Sequence, residues 1–122
     1  MARILIVDDE ELIRNLLRQM LEREGYEVVE AGNGKIALQV FRQQPADLII
    51  TDIIMPEKEG LETITEFRKT YPNVKIIGIS GGGRIDSKDY LFIAQRLGAN
   101  RTLAKPFEWS DMLTAIKDLL NS

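Results

Sequence analysis

Short, uninterrupted apolar runs alternate along the chain with longer stretches in which apolar residues recur every three or four positions. Ile4-Leu5-Ile6-Val7 is such a run, ending in Asp8-Asp9, and it predicts a strand buried on both faces. Leu12, Ile13, Leu16, Leu17, Met20 and Leu21 then repeat at helical spacing, and Gly25 supplies a stop. Tyr26 to Ala31 reads as a second strand and Gly32-Asn33-Gly34 as a turn. Ile36, Ala37, Val40 and Phe41 mark a second helix before Pro45, and Leu48-Ile49-Ile50 opens a third strand that runs into Asp52. Leu61, Ile64 and Phe67 give a third helix, ended near Pro72, and Val74 to Ile79 a fourth strand ahead of Gly81-Gly82-Gly83. A helix from about Ser87 to Leu97 stops at Gly98. A short strand spans Arg101 to Ala104, and Met112, Leu113, Ile116, Leu119 and Leu120 mark a last helix.

The pattern is a βα unit repeated five times. Buried strands joined through helices require a parallel sheet with helices on both faces, so the fold class is α/β, doubly wound. There is no repeat, low-complexity tract or Pro/Ser linker, and residues 1–122 read as one domain.

Composition narrows the chemistry. The 122 residues contain no Cys and no His, which excludes disulfides, thiol nucleophiles, the usual zinc sites and an imidazole base. Any chemistry must use carboxylates, Lys/Arg, hydroxyls and backbone groups. The net charge of −3 argues against direct nucleic-acid binding through a broad basic surface. No apolar stretch reaches the roughly 18 residues that a membrane span needs, and nothing resembles a signal peptide, so a cytoplasmic location is the expectation.

In open parallel sheets, ligands bind beyond the carboxyl ends of the strands. Here the first strand ends in Asp8-Asp9, the third in Asp52, the fourth in Ser80 and the fifth in Lys105-Pro106, while the second ends in the bland Glu30-Ala31. Each has a plainer explanation alone. Asp8 and Asp9 suit a helix cap, Asp52 a turn, Ser80 a loop hydroxyl and Lys105 a solvated charge. Taken singly, these explanations leave the convergence on one edge unaccounted for. Clustered carboxylates repel, and a divalent cation and an ammonium offset that. An all-oxygen ligand set suits Mg²⁺, and carboxylates, Mg²⁺, a Lys and a hydroxyl together make a phosphoryl site.

These residues resemble the receiver domains of two-component response regulators, of which the bacterial chemotaxis regulator is the compact single-domain example. The resemblance covers essentially the whole chain. It rests on Ile6-Val7-Asp8-Asp9-Glu10, Thr51-Asp52-Ile53-Ile54-Met55-Pro56 with Gly60, Ser80-Gly81, Gly98-Ala99 and Lys105-Pro106-Phe107. It implies a flavodoxin-like (βα)5 sheet of strand order 2-1-3-4-5. It further implies that Asp52 accepts a phosphoryl group from a phosphohistidine on a sensor histidine kinase or histidine phosphotransfer protein. The absence of His in this chain fits a donor imidazole supplied in trans. By the same resemblance, Asp9 ligates Mg²⁺ directly and Asp8 mainly through water, with the Asp52 carboxylate and the Ile54 backbone carbonyl completing the set. Lys105 pairs with Asp52 at rest and with the phosphoryl oxygens after transfer, Ser80 donates its hydroxyl, and a cis Lys105–Pro106 bond aims the lysine. The implied activity is a Mg²⁺-dependent self-phosphorylation and slow self-dephosphorylation rather than that of a conventional enzyme. It switches a downstream protein partner on the face formed by the fourth helix, fifth strand and fifth helix.

Two departures from the family pattern stand out. Thr102 occupies the position three before the lysine where receivers usually carry Tyr or Phe, and the Gly81-Gly82-Gly83 stretch lengthens the segment between Ser80 and Gly98. The loop lacks the Walker and dinucleotide spacings. Four successive acids, Asp8 to Glu11, would repel a flavodoxin's phosphate, and Ile54 stands where a haloacid dehalogenase-type phosphatase carries its second Asp. The remaining alternative is a protein-interaction module that keeps a receiver fold but works without phosphorylation. These 122 residues show no output domain, so output is expected through protein contacts. No clear apolar stripe marks dimerisation through the last two helices.

Overall fold

The structure, a computed structural model, describes residues 2–53, 59–80 and 87–121, the side chains of 59 and 87–91 excepted. Ile54 and Gly81-Gly82-Gly83 therefore lie outside the described residues. The elements follow the expected alternation: β1 (Arg3–Val7), α1 (Glu11–Arg23), β2 (Glu27–Ala31), α2 (Gly34–Gln43), β3 (Leu48–Asp52), α3 (Glu59–Thr70), β4 (Lys75–Ser80), α4 (Ser87–Leu97), β5 (Arg101–Ala104) and α5 (Trp109–Leu120). All four strand pairings are parallel and the order is β2-β1-β3-β4-β5. This is the flavodoxin-like order that the resemblance implies.

Strand alternation divides the core into two layers. Leu5, Val7, Ile49, Ile53 and Ile76 point toward α2, α3 and α4, where they meet Ala37, Phe41, Ile64, Phe67 and Ala94. Ile4, Ile6, Leu48, Ile50, Ile77 and Ile79 point the other way, against Leu17 and Leu21 of α1 and Met112, Ala115, Ile116 and Leu119 of α5. The central strands are buried on both faces, hence their unbroken apolar runs.

The helical patterns are wider than the buried faces. Leu12, Leu16 and Ile36 carry the apolar period but are exposed, as are Phe92 and Ile93 on α4. Helix α4 thus presents an apolar pair that the sequence pattern does not single out. The punctuation holds: Gly25 follows α1 at φ 91°, and Gly98 follows α4 at φ 131°, a left-handed conformation that glycine adopts without steric cost. Asn33 caps α2 by accepting the Ile36 N–H at 2.8 Å, so Gly34 is the first helical residue rather than part of the turn.

Candidate functional site

Strand register brings the polar residues together. Val7 pairs with Thr51, so Asp8 emerges beside Asp52. Asp52 pairs with Ile79, so Ser80 emerges on the other side, and Ser80 pairs with Ala104, which places Lys105 next. The Lys105 N–H donates to the Ser80 carbonyl at 2.8 Å, and the Ile53 N–H to the Ile79 carbonyl at 2.9 Å, carrying the pairing one residue past each strand end. The Lys105–Pro106 bond is cis.

Burial sorts these groups. Asp8, Asp52 and Ser80 are buried, Lys105 is half-buried and Asp9 is exposed. Asp8 does not cap α1. Its Oδ1 accepts the Glu10 N–H at 2.8 Å, ahead of the helix, and the α1 N-cap residue, Glu10, makes no side-chain capping bond. Burial pushes the Asp8 carboxyl up from 3.8 to about 6. The Glu10 N–H pulls the other way, Asp52 adds to the rise, Lys105 opposes it, and Asp9 adds a little more. Asp8 therefore feels Asp9, Asp52 and Lys105 at once, which is the electrostatic signature of a shared site. The carboxylate oxygens of Asp8, Asp9 and Glu10 lie within 4.8 Å of one another. An all-oxygen donor set with one buried carboxyl strained by its own charge fits a hard divalent cation.

The Ser80 hydroxyl is fully buried and has no hydrogen-bond partner among the described residues. A buried hydroxyl without a partner carries a desolvation cost, and an oxygen-rich group placed at the strand ends would relieve it. Thr102, beside Gly78 on β4, is half-buried, and its Oγ1 accepts from Gln95 Nε2 of α4 at 3.3 Å.

Residues 4–117 match the family model of the response regulator receiver domain. The chain belongs to the response regulator receiver family. It is similar to the chemotaxis protein CheY of Halobacterium salinarum, 33% identical over 120 residues that cover 98% of each chain. Among solved structures, a receiver domain from Clostridium thermocellum superposes with a TM-score of 0.90 at 32% identity, covering 99% of this chain and 95% of that one. The response regulator TrrA of Thermotoga maritima, solved in complex with Mg²⁺-BeF, superposes with a TM-score of 0.82 at 38% identity, covering 98% of this chain and 99% of that one. The protein is thus a CheY-like receiver domain of two-component signalling, a class that works with histidine kinases.

Glu10, part of the acidic run in the sequence but given no part in the cation site there, joins the cluster. Another feature of this receiver escapes a reading of the sequence. Glu30, read as bland, is gripped by two arginines of α1: Arg14 Nε donates to its Oε1 at 3.2 Å, and Arg18 Nε lies 2.6 Å from its Oε2. The available signal was the spacing of Arg14 and Arg18 at i, i+4 on one helix face.

Proposed function

We propose that the protein is a phosphoacceptor switch, with Asp52 as the group that receives the phosphoryl. The observation that carries this reading is the packing of Asp8, Asp52 and Ser80, all buried, at the ends of three neighbouring strands, with Lys105 following the next. The Mg²⁺-BeF complex of the related TrrA supports it.

In this reading one Asp52 carboxylate oxygen attacks the phosphorus of a phosphohistidine on the donor protein. The new P–O bond forms as the P–N bond breaks, and the imidazole leaves with that electron pair and is protonated. Mg²⁺ held by Asp8, Asp9, Asp52 and the Ile54 carbonyl would neutralise charge on the phosphoryl oxygens. Lys105 supplies a second positive charge against them, and the Ser80 hydroxyl donates to one oxygen. Water then attacks the phosphorus of the aspartyl phosphate; the Asp52 O–P bond breaks, inorganic phosphate leaves and the free carboxylate returns the domain to rest.

The donor is a histidine kinase or phosphotransfer protein. An apolar groove of about 520 Å³, lined by Ile13, Leu16, Met20, Phe107 and Trp109, reaches Lys105 and Pro106 beside the site and suits its approach. The output is a change in affinity for a protein partner on the α4–β5–α5 face, where Phe92 and Ile93 are exposed. Residues 1–122 act as one domain, in the cytoplasm. The rival reading, a docking module that never takes phosphate, accommodates Thr102 but leaves the buried acidic set without a purpose.

Incubation with phosphoramidate, a small P–N donor, tests the proposal by intact mass. A gain of one phosphoryl group that requires Mg²⁺ and is lost in Asp52→Asn is expected. A folded wild type that gains none with Mg²⁺ present contradicts the reading.

A further inference from the structure

The turn between β1 and α1 is anchored from an unexpected direction. Besides the Glu10 bond, the Asp8 N–H donates to the Ala31 carbonyl of β2 at 3.2 Å. Arg14 Nη1 donates to the Asp8 carbonyl at 2.7 Å, so it grips the Asp8–Asp9 peptide itself. That peptide joins the buried carboxyl to the exposed one. The guanidinium is not free to choose this position, because its Nε is tied to Glu30. Glu30 is in turn held from its other side by Arg18, which also donates to the Val28 carbonyl at 3.2 Å. A continuous chain of contacts thus runs from the backbone of β2, through Arg18, Glu30 and Arg14, to the acidic turn. Both Arg14 and Glu30 are largely buried, with side chains 18% and 22% exposed, so these contacts are less screened than surface pairs.

The arrangement also directs charge. A guanidinium beside three clustered carboxylates could lie among them and compete for the place of a cation. Glu30 draws the Arg14 charge to the β2 side and leaves it facing a carbonyl. Only the planar fork of an arginine meets Glu30 and the Asp8 carbonyl at once; a lysine ammonium on a flexible stem does not.

We infer that Arg14 is a positioning residue that presents Asp8 and Asp9 to the divalent cation, and that Glu30 acts through it. This rests on the cation-binding reading above. Outer partners that orient ligands change metal affinity by about tenfold or more when removed.

Calorimetric titration with Mg²⁺ tests it, without phosphodonor. Arg14→Gln is expected to weaken Mg²⁺ binding about tenfold and to shift the Asp9 amide resonance of the metal-free protein. Arg14→Lys should not restore the affinity. Glu30→Gln should weaken binding too, and the Arg14→Gln/Glu30→Gln double variant should bind no worse than Arg14→Gln alone. Wild-type affinity in folded Arg14→Gln, or additive losses in the double variant, would overturn the assignment. Should Arg14→Gln fail to fold, wild-type affinity in Glu30→Gln overturns it equally. A wild type that itself binds no Mg²⁺ would instead count against the cation site as a whole.

Discussion

Asp8 carries a large electrostatic burden, because burial and the neighbouring Asp52 both oppose its charge. A carboxyl shifted from 3.8 to about 6 binds more protons in the folded than in the unfolded protein between those values. Its favourable contribution is fully present below 3.8 and is lost as pH rises through about 6. The metal-free protein should accordingly lose stability across that window, and Asp8→Asn should flatten the loss and raise the metal-free Tm at pH 7.5. Urea denaturation against pH checks both. Cation binding must displace the proton, so Mg²⁺ affinity should fall by about tenfold per pH unit below 6, and titrations at pH 5 and 7 measure it. Ser80 makes the opposite kind of prediction. With its hydroxyl buried and without a partner among the described residues, Ser80→Ala should cost less than about 1 kcal/mol of stability while slowing phosphoryl uptake about 100- to 1,000-fold, a separation that melting and stopped-flow kinetics would reveal.

At the scale of elements, the site depends on how closely helices approach strand ends. A Cβ on Gly60, in the first turn of α3, would collide with the backbone of Asp52 and Ile53. Gly60→Ala should therefore push α3 away from the end of β3, destabilise the fold by about 1–3 kcal/mol and disturb Asp52 more than a core truncation of equal cost. Leu21→Ala, fully buried against the other face, supplies that comparison at ~2–5 kcal/mol. Matched by chemical denaturation, the two variants should differ in phosphorylation rate, with Gly60→Ala the slower. The elements themselves are largely readable from the chain, because β1, β3 and β4 are buried on both faces and write that burial as unbroken apolar runs. The exposed side of α1 is not. Leu12 and Leu16 keep the helical period yet face outward, since periodicity reports an apolar stripe without saying which edge of it the core covers.

For the whole molecule, parallel topology carries the argument from sequence to site. Five βα units put every strand's carboxyl end on one edge, so acids at 8, 9 and 52, a hydroxyl at 80 and an ammonium at 105 had to gather there. What the sequence withholds is the support around them. Glu30 at the end of an edge strand looks like any surface acid until the helix beside it is folded and Arg14 and Arg18 close on it. Likewise Thr102 reads as the loss of an aromatic ring, and only the folded chain pairs it with Gln95. The most direct test of the account is to locate the phosphoryl group. Protein treated with phosphodonor and Mg²⁺ is reduced with borohydride, which converts an acyl phosphate to an alcohol, and the modified residue is read by tandem mass spectrometry. Modification at Asp52 alone is the expected result. Modification at Asp8 or Asp9, or at no carboxyl of the folded protein, would contradict the account.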